Sequence, residues 1–129
     1  MNSVDEQPRG ELALRSVAMP ADTNPAGDIF GGWIMSLMDL AAGTTASARA
    51  KGRTATAAVS HLSFLRPVKV GEVVCVYTDI IRVGTTSISL SVEAWTIPRS
   101  FGARHKVTAA EFIMVAVDDD GKPRPVEAA

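Results

Sequence analysis

The sequence predicts an α+β fold in which one long helix lies across a curved antiparallel sheet that wraps around it. Three observations carry this expectation. A single stretch of helical length, residues 31–52, is apolar or small on nearly every face. The four segments that follow it are long, rich in valine, isoleucine and threonine, and change period from helical to two. The connection "RVGTTS" between the second and third of these is short and centred on a glycine, as in a hairpin.

Taken in order, "ELALRSVAM" alternates moderately and is ended by Pro20, which suits an edge strand. Asp22, Thr23, Asn24, Pro25 and Gly27 form a loop cluster, after which "GGWIMSLMDLAAGTTASARAKG" runs as a helix and closes on Gly52. Ile34, Leu37, Met38 and Ala41 share one face, while Met35, Ala42, Gly43, Ala46 and Ala48 leave little polar surface elsewhere, so the helix is expected to be enclosed. Then come the strand segments "TATAAVSHLSFL", "EVVCVYTDIIRV", "TTSISLSVEAWTI" and "HKVTAAEFIMVAVD", bounded by Pro67, Gly71, Gly84, Pro98 and Gly102. In the third, Ser87, Ser89, Ser91 and Glu93 alternate with Ile88, Leu90, Val92 and Ala94, the pattern of one wet and one dry sheet face. Residues 1–10 and 125–129 read as tails around a folded unit at 11–124, the first because it is polar and mixed in charge, the second because it ends the stretch "DDDGKPRPVEAA", whose charge, glycine and alternating Lys/Pro/Arg/Pro positions prevent regular structure.

A chain of 129 residues makes one domain and buries roughly two-thirds of the surface its unfolded form exposes. With 47% hydrophobic and 21% charged residues and a net charge of −1, nothing draws it to nucleic acid or to an acidic membrane, so any anion binding must be local. Cys75 is the single cysteine, which rules out an intrachain disulfide and points to the cytoplasm. The opening residues do not read as a signal peptide, and no run reaches ~18 apolar residues, so no membrane partner is expected. Internal repeats and low-complexity tracts are absent from the sequence.

Two features of the helix invite chemistry. Gly31 and Gly32 fall where its first turn begins, and the first N–H groups of a helix lack internal partners. Glycines there let a carbonyl or oxyanion approach, with the helix dipole adding attraction, or else simply let helix and sheet pack closely. Asp39 places a carboxylate in the middle of an apolar helix, where it must be partnered, wet or used. It lies eight residues beyond Gly31, roughly 12 Å along the axis at ~1.5 Å per residue, too far to act on a group held at its own helix start. An antiparallel second copy alongside would bring the two together, whereas the plainer alternative is an exposed aspartate or an ion pair with Arg49 or Arg53.

Asn24, just before Pro25, can close a turn or orient a substrate oxygen or water. His61 and His105 have no ligand spacing to each other or to Cys75, so no metal site is expected, and Cys75 reads as packed within a strand. "DDDG" at 118–121 lacks the spacing of a calcium loop.

These stretches together, "AMPADTNPAGDIFGGWIMSLMD", "SFLRPVKVGEVV", "GTTSISLSVEAW" and "AEFIMVAVDDDGKPRPV", closely resemble the YciA-like acyl-CoA thioesterases of the hotdog fold, from about Leu12 to Pro125. The resemblance implies a helix wrapped by an antiparallel sheet, dimers with interface active sites, and commonly a trimer of dimers. It implies that positions matching Gly31 and Gly32 hold the thioester carbonyl. Asp39 would act as general base or nucleophile, and Asn24 would contribute from the opposite subunit. It implies an acyl-CoA substrate and no cofactor beyond the Coenzyme A that the substrate carries. For the phosphates of that group, the candidates are Arg66, Arg82, Arg104 and Lys106, with Gly84, Thr85, Thr86 and Ser87 as possible loop donors. The chain departs from the family at Ser60-His61, where relatives are expected to carry an acidic residue. Two other readings compete: a hotdog hydratase or dehydratase, for which His61 would have to serve, and an acyl-CoA sensor without turnover.

Overall fold

The alternating segments form five strands, all paired antiparallel in one sheet of order β1-β3-β4-β5-β2. The computed structural model describes residues 6–128. In chain order the elements are β1 (Glu11–Val17), a short 3-10 turn (Pro20–Asp22), α1 (Gly31–Ala50), β2 (Thr54–Phe64), β3 (Val73–Val83), β4 (Ser87–Ile97) and β5 (His105–Ala116). β1 is an edge strand as expected, and "RVGTTS" closes the β3–β4 hairpin with the Gly84 N–H bonded to the Ser87 carbonyl at 2.7 Å.

The helix packs on all five strands. Ile34, Met38, Ala41, Ala42 and Ala46 turn inward onto Val74, Val76, Ile88, Leu90, Val92, Phe112 and Met114. Burying a side chain such as Met38 or Phe112 contributes about 1.5–3 kcal/mol, and the alanines between them let the sheet backbone come close. Each of the four strand pairings contains a register shift, and such bulges increase twist and help the sheet curl around the helix.

Several expectations change. The helix is not enclosed by its own chain: Gly32, Ser36, Asp39, Leu40, Thr44 and Ala48 form an exposed stripe, because the sheet covers only the opposite side. The polar face of β4 is not wet either. Ser89, Ser91 and Glu93 are buried, since β4 is the central strand and its short side chains are shielded by those of β3 and β5.

Neither terminal stretch is wholly a tail. The Arg9 N–H donates to Glu93 and its guanidinium pairs with Asp79, so the segment before β1 lies strapped to the outer face of the sheet. At the other end, Val117 bridges Pro123 and Val126 packs against the core. Gly52 is not the left-handed residue that ends α1. Lys51 takes that conformation (φ 57°), and the N–H groups of both Lys51 and Gly52 bond to the Ser47 carbonyl. Gly52 instead leaves room for Arg124: a Cβ there would fall 2.5 Å from its guanidinium, which donates to the Ala50 carbonyl at 3.0 Å and would have to shift. Among the described residues, no helix is long and apolar enough to cross a membrane.

Candidate active site

The chain before α1 is fixed by its own polar groups. The Asn24 side-chain oxygen accepts the N–H groups of Ala26 (3.0 Å) and Asp28 (3.1 Å), and Gly27 turns the chain at φ 87°. The Ile29 N–H donates to the Val68 carbonyl, and the Phe30 N–H to that of Asp22. Lys69 and Asp28 add an ion pair. Asn24 therefore closes the turn, and its NH₂ group remains available as a donor.

This anchoring delivers Gly31 and Gly32 to the first turn. The Phe30 carbonyl accepts the N–H groups of Trp33 and Ile34, while those of Gly31 and Gly32 meet no acceptor among the described residues. The two glycines divide the roles proposed for them. A Cβ on Gly31 would lie 3.2 Å from the Phe64 ring, so Gly31 serves close packing; a Cβ on Gly32 would meet nothing within 4 Å, so Gly32 is where a ligand can approach. A groove of about 340 Å³ lies between the helix start and the Phe64–Val68 segment, with Gly31 and Ile34 in its wall and Gly32 outside it.

Asp39 is exposed and pairs with neither Arg49 nor Arg53, whose guanidinium groups reach the carbonyls of Glu127 and Asp118. Its partner is Thr56 on β2, whose hydroxyl donates to Oδ1 at 2.5 Å. Sequence reading missed Thr56; the contact spans 17 residues and depends on how helix and sheet are docked. Asp39 and Thr56 line a second groove, of about 440 Å³, with Leu40, Gly43, Ser47 and Met114. No residue lines both grooves. A single helix thus carries two separated features: N–H groups without acceptors at its start and, two turns in, a carboxylate held by Thr56.

The Coenzyme A candidates do not come together. Ser87 opens β4 and Trp95 lies near its other end, roughly 26 Å apart at ~3.3 Å per residue. Gly84–Ser87 and Arg82 cluster at the first end, Arg66, Arg104 and Lys106 at the second. The Gly84 N–H is already used within the turn, and Lys106 is held by Glu6 (3.0 Å) and Glu93 (3.8 Å). His61 sits exposed on a β2 bulge in left-handed backbone (φ 54°), 3.2 Å from the Ser60 hydroxyl. The Ser60-His61 departure therefore falls on an irregular segment of β2. Cys75 is buried with Tyr77 and Trp95 on the outer face of the sheet, away from the helix. No group of residues suited to a metal ion occurs among those described.

Comparison with known proteins decides the family. Residues 26–102 match the model of the Thioesterase superfamily, and the acyl-CoA thioester hydrolase YciA of Salmonella typhimurium is 53% identical over 98% of this chain and 97% of its own. The chain is a YciA-like member of the thioesterase superfamily. A hexameric thioesterase from Yersinia pestis superposes with a TM-score of 0.91 at 50% identity, covering 95% of this chain and all of the other. A hexameric hotdog-fold thioesterase of Campylobacter jejuni gives 0.85 at 40% identity, over 92% and 91%. The helix wrapped by a five-stranded sheet is thus the hotdog fold.

Proposed function

We propose that the chain hydrolyses acyl-CoA thioesters to a carboxylic acid and Coenzyme A, at sites each completed by a second copy of the chain. The activity carried in the Salmonella relative's name supports the reaction. The observation that carries the site is the division of α1, with unspent N–H donors at Gly31 and Gly32, a carboxylate held by Thr56 about 12 Å farther on, and no shared wall.

The thioester oxygen accepts from the Gly32 and Gly31 N–H groups, where the positive end of the helix dipole stabilises charge developing on that oxygen. Asp39 of the partner copy takes a proton from water as the water oxygen bonds to the carbonyl carbon. The C–S bond then breaks, and the proton passes from Asp39 to the departing sulfur. Thr56 occupies Oδ1 and leaves Oδ2 for this exchange. Direct attack by Asp39 would instead form a mixed anhydride that water cleaves. Label in the Asp39 carboxylate after a single turnover in ¹⁸O-water would establish the anhydride route, with water attacking the aspartyl carbon. Asn24 contributes its free NH₂ group as a donor at the same site. The reaction consumes only substrate and water.

Placing Asp39 opposite Gly32 of an antiparallel copy puts the two-fold axis between Met35 and Ser36. The exposed stripe Gly32, Ser36 and Leu40 then faces its own mate, with small residues permitting helices about 8–10 Å apart. β2, the other edge of the sheet, lies on the Asp39 side with its residues largely exposed, and a bare edge strand favours self-association. Because the Yersinia and Campylobacter relatives are described as hexameric, we take three such dimers as the assembly. With its lone thiol buried, the chain is assigned to the cytoplasm.

Thiol release from a series of short to long acyl-CoAs tests the reaction. Wild type should release Coenzyme A, and absence of release from every substrate would end the hydrolase reading in favour of a sensor. Mixing tests the shared site: Asp39→Ala chains and Gly32→Leu chains, each inactive alone, should regain about a quarter of wild-type activity once subunits exchange, since half the random dimers hold one intact site. No recovery despite demonstrated exchange would place both groups in one chain's site.

A further inference from the structure

The wall of the groove beside Asp39 contains a glycine that the chain's own packing does not require. Gly43 lies one turn beyond Asp39 on the same face of α1, in the interior of a 20-residue helix, where glycine is less favourable than alanine. A Cβ there would meet only the end of the Met114 side chain, at 3.9 Å, which is ordinary contact. Neither backbone conformation nor crowding explains the missing side chain. What it leaves is space, in a groove of about 440 Å³ whose wall runs from Asp39 past Gly43 and Met114 to Ser47 and Thr54.

The groove changes character along its length. Near Asp39, Leu40, Gly43 and Met114 present carbon, and the flexible thioether of Met114 adapts to what lies against it. At the far end the Ser47 and Thr54 hydroxyls meet at 2.8 Å; that bond uses one of their two protons, and neither hydroxyl has another partner among the described residues. Thr54 and Thr56 project from the same face of β2 roughly 6.6 Å apart, and Ser47 lies roughly 12 Å beyond Asp39 along the helix axis. The pair therefore sits about six to ten bonds past the Asp39–Thr56 contact, at roughly 1.2 Å per bond of extended chain. Charge decides which arm of a thioester suits this groove. The guanidinium groups of Arg49 and Arg53 are engaged by the carbonyls of Glu127 and Asp118 and do not line it. An arm carrying phosphates would run beside the Asp39 carboxylate, and an uncharged acyl arm avoids that repulsion.

We propose that Gly43 and the Ser47–Thr54 pair set acyl selectivity: Gly43 keeps the groove open to chains longer than a few carbons, and the hydroxyl pair ends its apolar stretch. The chain then selects acyl groups of about six to ten carbons and accepts a neutral oxygen, such as a hydroxyl, at their far end. This rests on the acyl-CoA reading above and names the substrate class of that site. Each methylene laid against Gly43 and Met114 adds to binding, whereas a longer tail strips water from hydroxyls it cannot bond.

The test is kcat/KM for thiol release by the full-length protein on acyl-CoAs from acetyl to dodecanoyl, and on the ω-hydroxy forms of the hexanoyl, octanoyl and decanoyl substrates. In wild type it should rise about two- to fourfold per added methylene and level off between about six and ten carbons. Gly43→Leu should fill the groove and lower the ratio of decanoyl to butyryl kcat/KM about tenfold or more. Should Gly43→Leu fail to fold, Gly43→Ala carries the test: it should raise the melting temperature, because alanine suits a helix better, and lower the same ratio about two- to fivefold. Ser47→Ala combined with Thr54→Val should carry the rise past the wild-type plateau. It should also disfavour every ω-hydroxy substrate about fivefold or more against its parent, where wild type turns over at least one of the three as fast as its parent. A flat wild-type series, or a rise to dodecanoyl that the double variant leaves unaltered, overturns the proposal. So does a Gly43→Ala protein with altered sedimentation and an unaltered chain-length ratio, which would give the glycine to subunit packing. Release of thiol from no substrate would defeat the hydrolase reading; release with the same ratios in every variant would defeat this inference alone.

Discussion

The two ends of helix α1 are built in opposite ways. At its C-terminus the Ser47 carbonyl takes N–H groups from Lys51 and Gly52, and Arg124 reaches back from beyond β5 to bond the Ala50 carbonyl. At its N-terminus, Phe30 provides no side-chain cap, and the N–H groups of Gly31 and Gly32 stay unspent. A helix stabilised for its own sake would carry Ser, Thr, Asp or Asn at the open end, a replacement that typically contributes about 1 kcal/mol. The difference teaches that the fold satisfies the backbone at one end of the helix and leaves donors free at the other, the end to which the proposed mechanism brings a carbonyl.

That contrast can be broken most sharply through Asp39. Asp39→Ala should reduce kcat for thiol release by about 10³-fold while leaving the melting temperature nearly unchanged, because Asp39 is exposed within its own chain. Retained turnover would remove it from the chemistry. The closed end predicts the reverse. Arg124→Met should lower stability by about 1.5–3 kcal/mol in a denaturant titration, the range for a hydrogen bond from a charged group, with kcat/KM unchanged.

Thr56→Val removes the hydroxyl that orients Asp39 and should lower kcat about tenfold while KM holds, with Thr56→Ser restoring most of the loss. The smallest and most diagnostic change is Gly32→Ala. It should raise stability by about 0.5–1 kcal/mol, since alanine suits a helix better and its Cβ meets nothing, yet it should raise KM by crowding the approach to the donors. Gain in both stability and activity would show that no ligand comes to the open end.

How much of this was legible depended on how local the cause is. The hairpin at Gly84 and the helix opening at Gly31 follow from neighbours in sequence, and the strands fall where the period of two placed them, whereas the wet face expected of β4 is buried because β4 is the central strand. Asn24 as a turn former was equally local, its oxygen bonding residues two and four positions on. What could not be read required distant docking. Thr56 meets Asp39 across 17 residues, Arg124 meets Ala50 across 74, and Arg9 meets Glu93 across 84. The Coenzyme A candidates looked like one set because sequence gives no measure of which end of a strand a residue occupies once the sheet has curled. Their division between the two ends of β4 emerges only from register.

Cys75, sealed beneath Tyr77 and Trp95, has a meaning for a catalyst that liberates a thiol at every turnover. Free Coenzyme A is readily oxidised to disulfides, and an accessible cysteine would be drawn into exchange with them, leaving the protein covalently tagged by its own product. A sulfhydryl that solvent cannot reach takes no part in that traffic. The protein can work in a pool of shifting redox state without recording it.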